Sequence, residues 1–164
     1  MKGDELSPFP ISSKEYHMLK LLMICTGNIC RSPIAEGLAP IIGKEMGLTV
    51  ESLSAGTLGL RDRPADPKSV KVCSEINVDI SSHRSQAITQ ELVDWSTYIL
   101  VMERRHASHL RKHFQNVDDK IMELGTFSGR SSVPDPIGGW TYKFRGCRKQ
   151  IDKALRNFLI QVPK

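Results

Sequence analysis

The feature that most constrains this chain is an almost unbroken apolar run that ends in a polar loop. Residues 19–24 read LKLLMI, a run long enough for one strand and too short for a helix of its own. Strands that are buried on both faces of a parallel sheet have this composition. The loop 25–33, CTGNICRSP, follows at once and is therefore predicted to lie at the carboxyl end of a buried strand.

Strand-like and helix-like segments alternate along the rest of the chain. Strands are predicted over residues 19–24, 49–54, 97–102 and 120–124. Helices are predicted from Ser32-Pro33 and Asp66-Pro67 as cap and first helical residue, over residues 89–94, and in the segments 107–114 and 144–162. Pro40 is expected to kink the first helix or to end its hydrogen bonding early. This alternation predicts an α/β fold of three layers, with a four-stranded parallel sheet and helices on both faces.

Length, charge and composition limit the class of protein. Of the 164 residues, 1–17 are expected to form a flexible N-terminal tail and 18–164 a single domain. The formal net charge of +5 indicates a mild preference for anionic partners. No nucleic-acid partner is predicted, because the chain lacks the dense basic tracts of an obligate nucleic-acid binder, although charge alone does not exclude one. No membrane insertion and no secretory signal are predicted, because no apolar run is long enough. Four cysteines without a leader indicate the reducing cytoplasm.

The loop after the first strand has the composition of an anion receptor that holds a nucleophile. It joins a strand to a helix N-terminus, where successive backbone N–H groups can converge on one anion. Gly27 permits backbone conformations that other residues resist, and Arg31 adds a planar fork that matches two phosphate oxygens. Cys25 lies at the base of this electropositive ring, a setting that favours the thiolate, which is the nucleophilic form.

The string CTGNICRSPIAE at residues 25–36 resembles the signature of the low-molecular-weight protein tyrosine phosphatases. The resemblance covers residues 19 to about 160. It continues at Ser54-Ala55-Gly56, at residues 64–67 and 79–84, at Met102 and at Asp135-Pro136. It implies the four-stranded parallel sheet of that family, which agrees with the pattern of predicted elements, and it implies hydrolysis of phosphotyrosine on proteins.

The resemblance also implies roles for individual residues. Cys25 would attack phosphorus to form a cysteinyl-phosphate, and Arg31 would bind two phosphoryl oxygens. Asp135 would protonate the leaving oxygen and later deprotonate the attacking water, since an acid in one step serves as a base in the next. The resemblance implies no metal and no cofactor, because Arg31 and the backbone amides supply the positive charge.

Further residues of the loop and its surroundings would support this chemistry. The residues expected to surround phosphate or another oxyanion are Thr26, Gly27, Asn28, Ile29, Cys30, Arg31 and Ser32. A supporting network is expected from Asn28, Ser32, Ser54 and His83. Ser32 could donate to the Cys25 sulfur or cap the following helix. Cys30 could form a reversible disulfide with Cys25, or it could simply pack in the core.

The residues expected to line the cleft leave the substrate partly open. The expected cleft wall consists of Leu58, Leu60, Ile137 and Trp140. The loop at 58–60 and the segment 102–106 resemble bacterial exopolysaccharide-associated phosphatases, which implies a tyrosine autokinase as partner. The sequence after Asp135 also resembles protein arginine phosphatases, the nearest alternative. Those enzymes usually carry Thr where this chain has Ile29, and an apolar residue there favours an aryl ring.

Other functions and other candidate residues have weaker support. An arsenate reductase would need more redox cysteines, and Cys73 and Cys147 are expected in the core. A non-enzymatic phosphate-binding module would not need Cys25, Arg31 and Asp135 together. A group of basic side chains on the helix predicted after the third strand is expected to form a solvated helix face or a weak docking surface for an acidic partner, rather than a metal site. The group consists of His106, His109, His113, Arg104, Arg105, Arg111 and Lys112.

Overall fold

The computed structural model describes residues 18–163, so the predicted tail at residues 1–17 lies outside the described part of the chain. The strands are β1 Leu19–Cys25, β2 Val50–Gly56, β3 Tyr98–Val101 and β4 Ile121–Glu123. The α-helices are α1 Arg31–Glu45, α2 Pro67–Ser74, α3 Gln90–Trp95, α4 Arg104–His113 and α5 Thr141–Gln161. A 3₁₀ helix over Leu124–Ser128 follows β4 directly. Within residues 18–163, no helix combines the length and apolar character that a membrane crossing requires.

The four strands form one parallel sheet in the order β2-β1-β3-β4. The chain first adds β2 on one side of β1 and then adds β3 and β4 on the other side. The position between β1 and β3 is therefore the point at which the strand order reverses. In open α/β sheets, ligands bind at the carboxyl ends of the strands at such a switch point. The topology therefore directs attention to the loops that follow β1 and β3, and it confirms the predicted α/β fold.

Alternating side chains of β1 serve two separate cores. Leu21 and Met23 are buried under α1, α2 and α5, whereas Leu22 and Ile24 are buried on the face covered by α3 and α4. These four side chains have no exposed surface, as expected for a strand in the centre of a three-layer fold. Burial on both faces fixes the position of β1, and with it the start of the loop at Cys25.

The structure corrects two predictions about α1. Ser32 is not its N-cap, because the helix begins at Arg31 and Ser32 makes its hydrogen bonds to loop residues instead. Of the two effects expected of Pro40, an early end of the helix is wrong, because the helix continues to Glu45, and a kink stays a prediction. Proline removes one backbone donor, and buried residues before and after it, such as Leu38 and Ile42, anchor both halves of the helix in the core.

Candidate active site

The loop between β1 and α1 surrounds the sulfur of Cys25 with hydrogen-bond donors. The backbone N–H of Asn28 donates to the sulfur at 3.2 Å. The hydroxyl of Ser32 lies 3.0 Å from the sulfur. Since the side-chain amide of Asn28 donates to the same hydroxyl at 2.8 Å, the hydroxyl proton is available to the sulfur. Donors aimed at a sulfur stabilise the negative charge of a thiolate.

Asn28 holds the loop in its curved shape. Its backbone is left-handed, with a φ of 56°, a conformation that Asn adopts more readily than most residues. The side chain is fully buried, and its amide nitrogen donates to Ser32 and, at 2.8 Å, to Ser54. Its amide oxygen accepts the backbone N–H of Gln86 at 2.9 Å. Both the nitrogen and the oxygen of the buried amide therefore have hydrogen-bond partners, which fixes the orientation of the side chain.

The residues expected in the supporting network meet around Asn28. The Nε2 atom of His83 donates to the Asn28 carbonyl oxygen at 2.7 Å. Ser54, which accepts from Asn28, donates in turn to the carboxylate of Glu36. Sequence reasoning did not identify Gln86 or Glu36 as members of this network. Their contacts depend on packing between segments that are distant in the chain.

Gly56 allows β2 to approach the loop closely. A Cβ atom at this position would lie 2.7 Å from the carbonyl oxygen of Thr26 and 3.1 Å from the Asn28 backbone nitrogen. The first of these distances is too short for any side chain. The glycine at the end of β2 is therefore a requirement of the loop geometry.

Arg31 is buried at the rim of the same loop and is held along one edge of its guanidinium. Its Nη1 atom donates to the Val133 carbonyl oxygen at 2.9 Å and lies 3.4 Å from a Glu103 carboxylate oxygen. Its Nη2 atom has longer contacts, to the Thr26 hydroxyl at 3.4 Å and to Asp135 at 3.5 Å. Within residues 18–163, the Nε atom of Arg31 is a buried donor without a partner. The edge formed by Nε and Nη2 can therefore receive two oxygens of an anion.

Asp135 lies across the loop from Arg31 on the segment before α5. One carboxylate oxygen accepts the backbone N–H of Ile137 at 3.1 Å, and the other is the oxygen that faces Arg31. The side chain keeps 32% of its surface exposed, so it can exchange protons with a bound substrate or with water. The structure thus brings together the three residues to which the resemblance assigned catalysis.

His106 corrects the prediction of a solvated helix face. It is 2% exposed, and its ring lies against the loop, with Nε2 2.9 Å from the Thr26 hydroxyl. Its Nδ1 atom accepts the backbone N–H of Glu103, which requires an unprotonated nitrogen. Burial, together with the nearby Arg31 charge, lowers the pKa of His106 to about 4. His106 is therefore neutral at pH 7 and donates from Nε2 to Thr26.

Glu103 is a second residue that sequence reasoning missed. Burial alone would raise the pKa of Glu103, but the hydrogen bond from Arg105 and the charges of Arg31 and Arg105 hold it below its ordinary value. The carboxylate therefore stays ionised beside the Arg31 guanidinium. Both Glu103 and His106 follow β3, whose carboxyl end adjoins that of β1. The switch-point rule, applied to β3 as well as β1, was the signal that could have identified them.

The prediction of a solvated basic face holds only in part for the other basic residues of α4. Arg105 is mostly exposed, but it donates to the Thr26 hydroxyl at 3.1 Å and pairs with Glu103. Arg104 forms an exposed ion pair with Glu123, and Arg111 forms one with Asp118. The His109 and His113 rings have centroids 4.5 Å apart and planes tilted by 44° to each other. In the described part of the chain, no three His, Cys, Asp or Glu side chains are grouped so that they could hold a metal ion.

The remaining cysteines are buried thiols. All four cysteines are free. Burial raises the pKa of Cys30 well above its usual range, that of Cys73 to about 11 and that of Cys147 to about 12. The core positions predicted for Cys73 and Cys147 are confirmed. Cys30 is buried in the same core as Cys25, so the pairing of these two residues stays a prediction.

The residues expected at the cleft wall lie on both sides of the loop. Ile29 and Leu60 flank Gly27, at 3.5 and 3.8 Å from the position that a Cβ would take there. Leu58, Ile137 and Trp140 are exposed, and Trp140 keeps 74% of its surface. Apolar side chains therefore lie beside the polar loop, an arrangement that suits a ligand with an anionic group and an apolar body.

Comparison with known proteins identifies the family. The model of the family "Low molecular weight phosphotyrosine protein phosphatase" matches residues 20–164. The chain is 35% identical over 138 residues to the low molecular weight protein-tyrosine-phosphatase Wzb of Escherichia coli, covering 84% of this chain and 91% of that protein. It is 30% identical over 148 residues to the protein-arginine-phosphatase of Bacillus subtilis, covering 89% of this chain and 98% of that protein.

Among solved structures, Vibrio vulnificus Wzb in complex with benzylphosphonate superposes with a TM-score of 0.80 at 32% identity, covering 88% of this chain and 99% of that chain. The relatives include the Wzb and EpsP enzymes, in agreement with the expected bacterial exopolysaccharide-associated type. The fold and the family predicted from the sequence are thus confirmed: this chain belongs to the low molecular weight phosphotyrosine protein phosphatase family.

Proposed function

We propose that this chain hydrolyses phosphotyrosine on proteins in two steps, through a phosphate carried by Cys25. The observation that carries the proposal is the convergence of three groups on one loop. The Cys25 sulfur faces donors from Asn28 and Ser32, Arg31 offers two N–H groups to an anion, and Asp135 faces the same guanidinium.

In the first step, the Cys25 thiolate attacks phosphorus and the bond from phosphorus to the tyrosyl oxygen breaks. The Nε and Nη2 atoms of Arg31 and the loop N–H groups bind the phosphoryl oxygens, whose charge is largest in the transition state. Asp135, as the carboxylic acid, gives its proton to the leaving phenolate oxygen. The products of this step are the free tyrosine and a cysteinyl-phosphate.

In the second step, water attacks the phosphorus of the cysteinyl-phosphate. Asp135, now a carboxylate, takes a proton from that water, and the bond between sulfur and phosphorus breaks. The electron pair returns to the Cys25 sulfur, and inorganic phosphate leaves. The hydroxyl of Ser32, 3.0 Å from the sulfur, stabilises the thiolate that departs in this step.

The rim of the loop supports a tyrosyl substrate. Ile29 and Leu60 present apolar atoms beside Gly27, where an aryl ring attached to a bound phosphate would lie. A phosphoarginyl group would place a charged guanidinium there, and neither side chain offers it a hydrogen bond. The relatives of about 30% identity named as arginine phosphatases make phosphoarginine the second candidate.

The compartment and partner follow from the same proposal. Four free thiols suit the reducing cytoplasm, where we place the enzyme. The resemblance to the exopolysaccharide-associated type favours an autophosphorylating tyrosine kinase as the protein substrate. A pull-down with the Cys25→Ser protein, which binds substrate without forming the cysteinyl-phosphate, should retain the phosphorylated kinase and release it on addition of phosphate.

One experiment separates the two candidate substrates. Two peptides of the same sequence, one with phosphotyrosine and one with phosphoarginine, are assayed with the native chain, with Cys25→Ser and with Cys73→Ala as a cysteine control outside the loop. We expect faster turnover of phosphotyrosine, its loss in Cys25→Ser and its retention in Cys73→Ala. Replacing Ile29 by Thr should lower the preference. Faster turnover of phosphoarginine by the native chain would contradict the tyrosine proposal.

A further inference from the structure

A groove with a volume of about 620 Å³ opens beside Asp135. The segment 134–136 forms one wall, and the outer face of α5 forms the other. Asp135 lies at the junction, since the same residue that faces Arg31 also lines the groove. A chain bound in the Cys25 loop can therefore continue into this groove without leaving the surface.

The groove is strongly basic. Four cations line it: Arg130, Lys143, Lys149 and Lys153. All four are exposed, and Asp135 is the single carboxylate among the lining residues. Within residues 18–163, none of the four cations lies within 4 Å of an acidic side chain or donates a side-chain hydrogen bond. We call this set the basic groove.

Other cationic side chains of α5, outside the groove, do have acidic partners. Arg145 and Arg148 pair with Glu75, and Arg156 pairs with Glu45 and Asp152. The arginines of α5 that point elsewhere are thus neutralised, while the lysines of the basic groove are left to solvent. Like charges held together without counter-charges repel, and a bound anion relieves that repulsion.

We propose that the basic groove binds an acidic segment of the substrate protein beside the phosphorylated residue. The proposal rests on the proposed function, because it takes the phosphoryl group to lie in the Cys25 loop. Lys143 and Lys153 are ten positions apart on α5, which corresponds to about 15 Å along the helix. An extended peptide covers that distance with about five residues. An acidic stretch of about five residues, formed by Glu, Asp or a second phosphoryl group, would therefore span the lysines of the basic groove.

Charge complementarity decides the occupant of the groove. Carboxylates and phosphoryl groups on a flexible peptide can each approach one lysine, and the attraction acts on the rate of encounter as well as on affinity. Because Asp135 lines the groove and also faces Arg31, an occupant of the groove can present a phosphoryl group to Arg31 at the same time. The result is selection among phosphoproteins by the residues that flank the phosphorylated one.

The test compares two phosphotyrosyl peptides that differ in charge. One carries Glu at several positions within five residues on both sides of the phosphotyrosine, and the other carries Gln at those positions. The quantity measured is the ratio of kcat/KM for the acidic peptide to kcat/KM for the neutral peptide. We expect the native chain to prefer the acidic peptide by about three- to tenfold at low ionic strength, and the preference to shrink as salt is added.

The variant Lys149→Gln/Lys153→Gln should bring this ratio close to one. The control variant Lys112→Gln/Lys71→Gln removes the same total charge from helices outside the groove and should keep the native ratio. A native ratio of one, or the same fall in both variants, would overturn the proposal, because net charge rather than the groove would then set the preference. Failure of the proposed function is distinct, since neither peptide would then be hydrolysed.

Discussion

The Nη2 atom of Arg31 lies 3.5 Å from the Oδ2 atom of Asp135, although the two residues are 104 positions apart in the chain. The Nη1 atom of the same guanidinium donates to the carbonyl oxygen of Val133, two residues before Asp135. Arg31 therefore fixes the segment that carries the proposed acid while it offers its free edge to the phosphoryl group. In the proposed mechanism, phosphate binding and proton transfer therefore both depend on this one buried side chain.

The first prediction concerns Asp135→Asn, which removes the proposed acid and keeps the size of the side chain. We expect kcat/KM, which reports the steps up to release of the tyrosine, to fall by about 10²- to 10⁴-fold for a phosphotyrosyl peptide, because its phenolate leaves poorly without a proton. The loss should be much smaller for 4-nitrophenyl phosphate, whose leaving group is more acidic. Asp118→Asn, at an exposed position, is the control. Equal losses for both substrates would argue against Asp135 as the acid.

The second prediction concerns the pH dependence of stability. The pKa of His106 is lowered to about 4 in the folded chain, against about 6.5 when unfolded. Between these values the unfolded chain binds a proton that the folded chain does not, so the free energy of unfolding falls as the pH falls from about 6.5 towards 4. The contribution is complete above pH 6.5 and is at most about 3 kcal/mol.

Urea unfolding at pH 7, 5.5 and 4.5 measures this effect. The native chain should lose more stability over this range than His106→Asn, which cannot titrate at that position. His113→Asn, on the exposed face of α4, should behave like the native chain. If the native chain and His106→Asn lost the same stability, the buried neutral histidine would not be the cause.

The third prediction separates the two properties of Asn28. Both Asn28→Gly and Asn28→Ala remove the hydrogen bonds to Ser32, Ser54 and Gln86, which should cost about 2–4 kcal/mol and most of the activity. Only Ala adds the penalty of a positive φ, about 1–2 kcal/mol. Denaturant unfolding should therefore rank the native chain above Gly and Gly above Ala. Equal stability of Gly and Ala would show that the backbone relaxes.

The fourth prediction compares two glycine substitutions. Gly56→Ala introduces a methyl group against the Thr26 carbonyl, so we expect lower stability and a marked loss of kcat. At Gly146 within α5, a Cβ would have no neighbour within 4 Å, and Ala should stabilise the chain by about 0.5–1 kcal/mol. Thermal unfolding and phosphatase assays provide the comparison. A fully active Gly56→Ala protein would show that the loop tolerates displacement of β2.

The fold was accessible from the sequence because its strands are buried and because α2 begins at a cap that the sequence displays. The apolar run at residues 19–24 and the Asp66-Pro67 start of α2 report on local structure, and both were predicted correctly. The loop residues from Cys25 to Ser32 were identified because they are contiguous in the sequence. Constraints that act between residues close together in the chain leave a pattern that can be recognised in the sequence.

The parts that sequence reasoning missed depend on contacts between distant segments. The periodicity of α4 placed His106 on one face with His109 and His113, and nothing local shows that one of the three is buried against Thr26. Ser32 is a residue type that often caps helices, but in this structure its hydroxyl forms hydrogen bonds with Asn28 and Cys25 instead. The basic groove combines α5 with the segment before it, and only the fold brings those charges into one place.

The most direct test of the account is alkylation of the native chain with iodoacetamide at pH 7, with each cysteine followed by peptide mass spectrometry. Cys25 should react first, and inorganic phosphate should protect it by occupying the loop. Burial and raised pKa values should keep Cys30, Cys73 and Cys147 unmodified in the folded chain. A Cys25 that reacts no faster than the other three, with no protection by phosphate, would contradict the account.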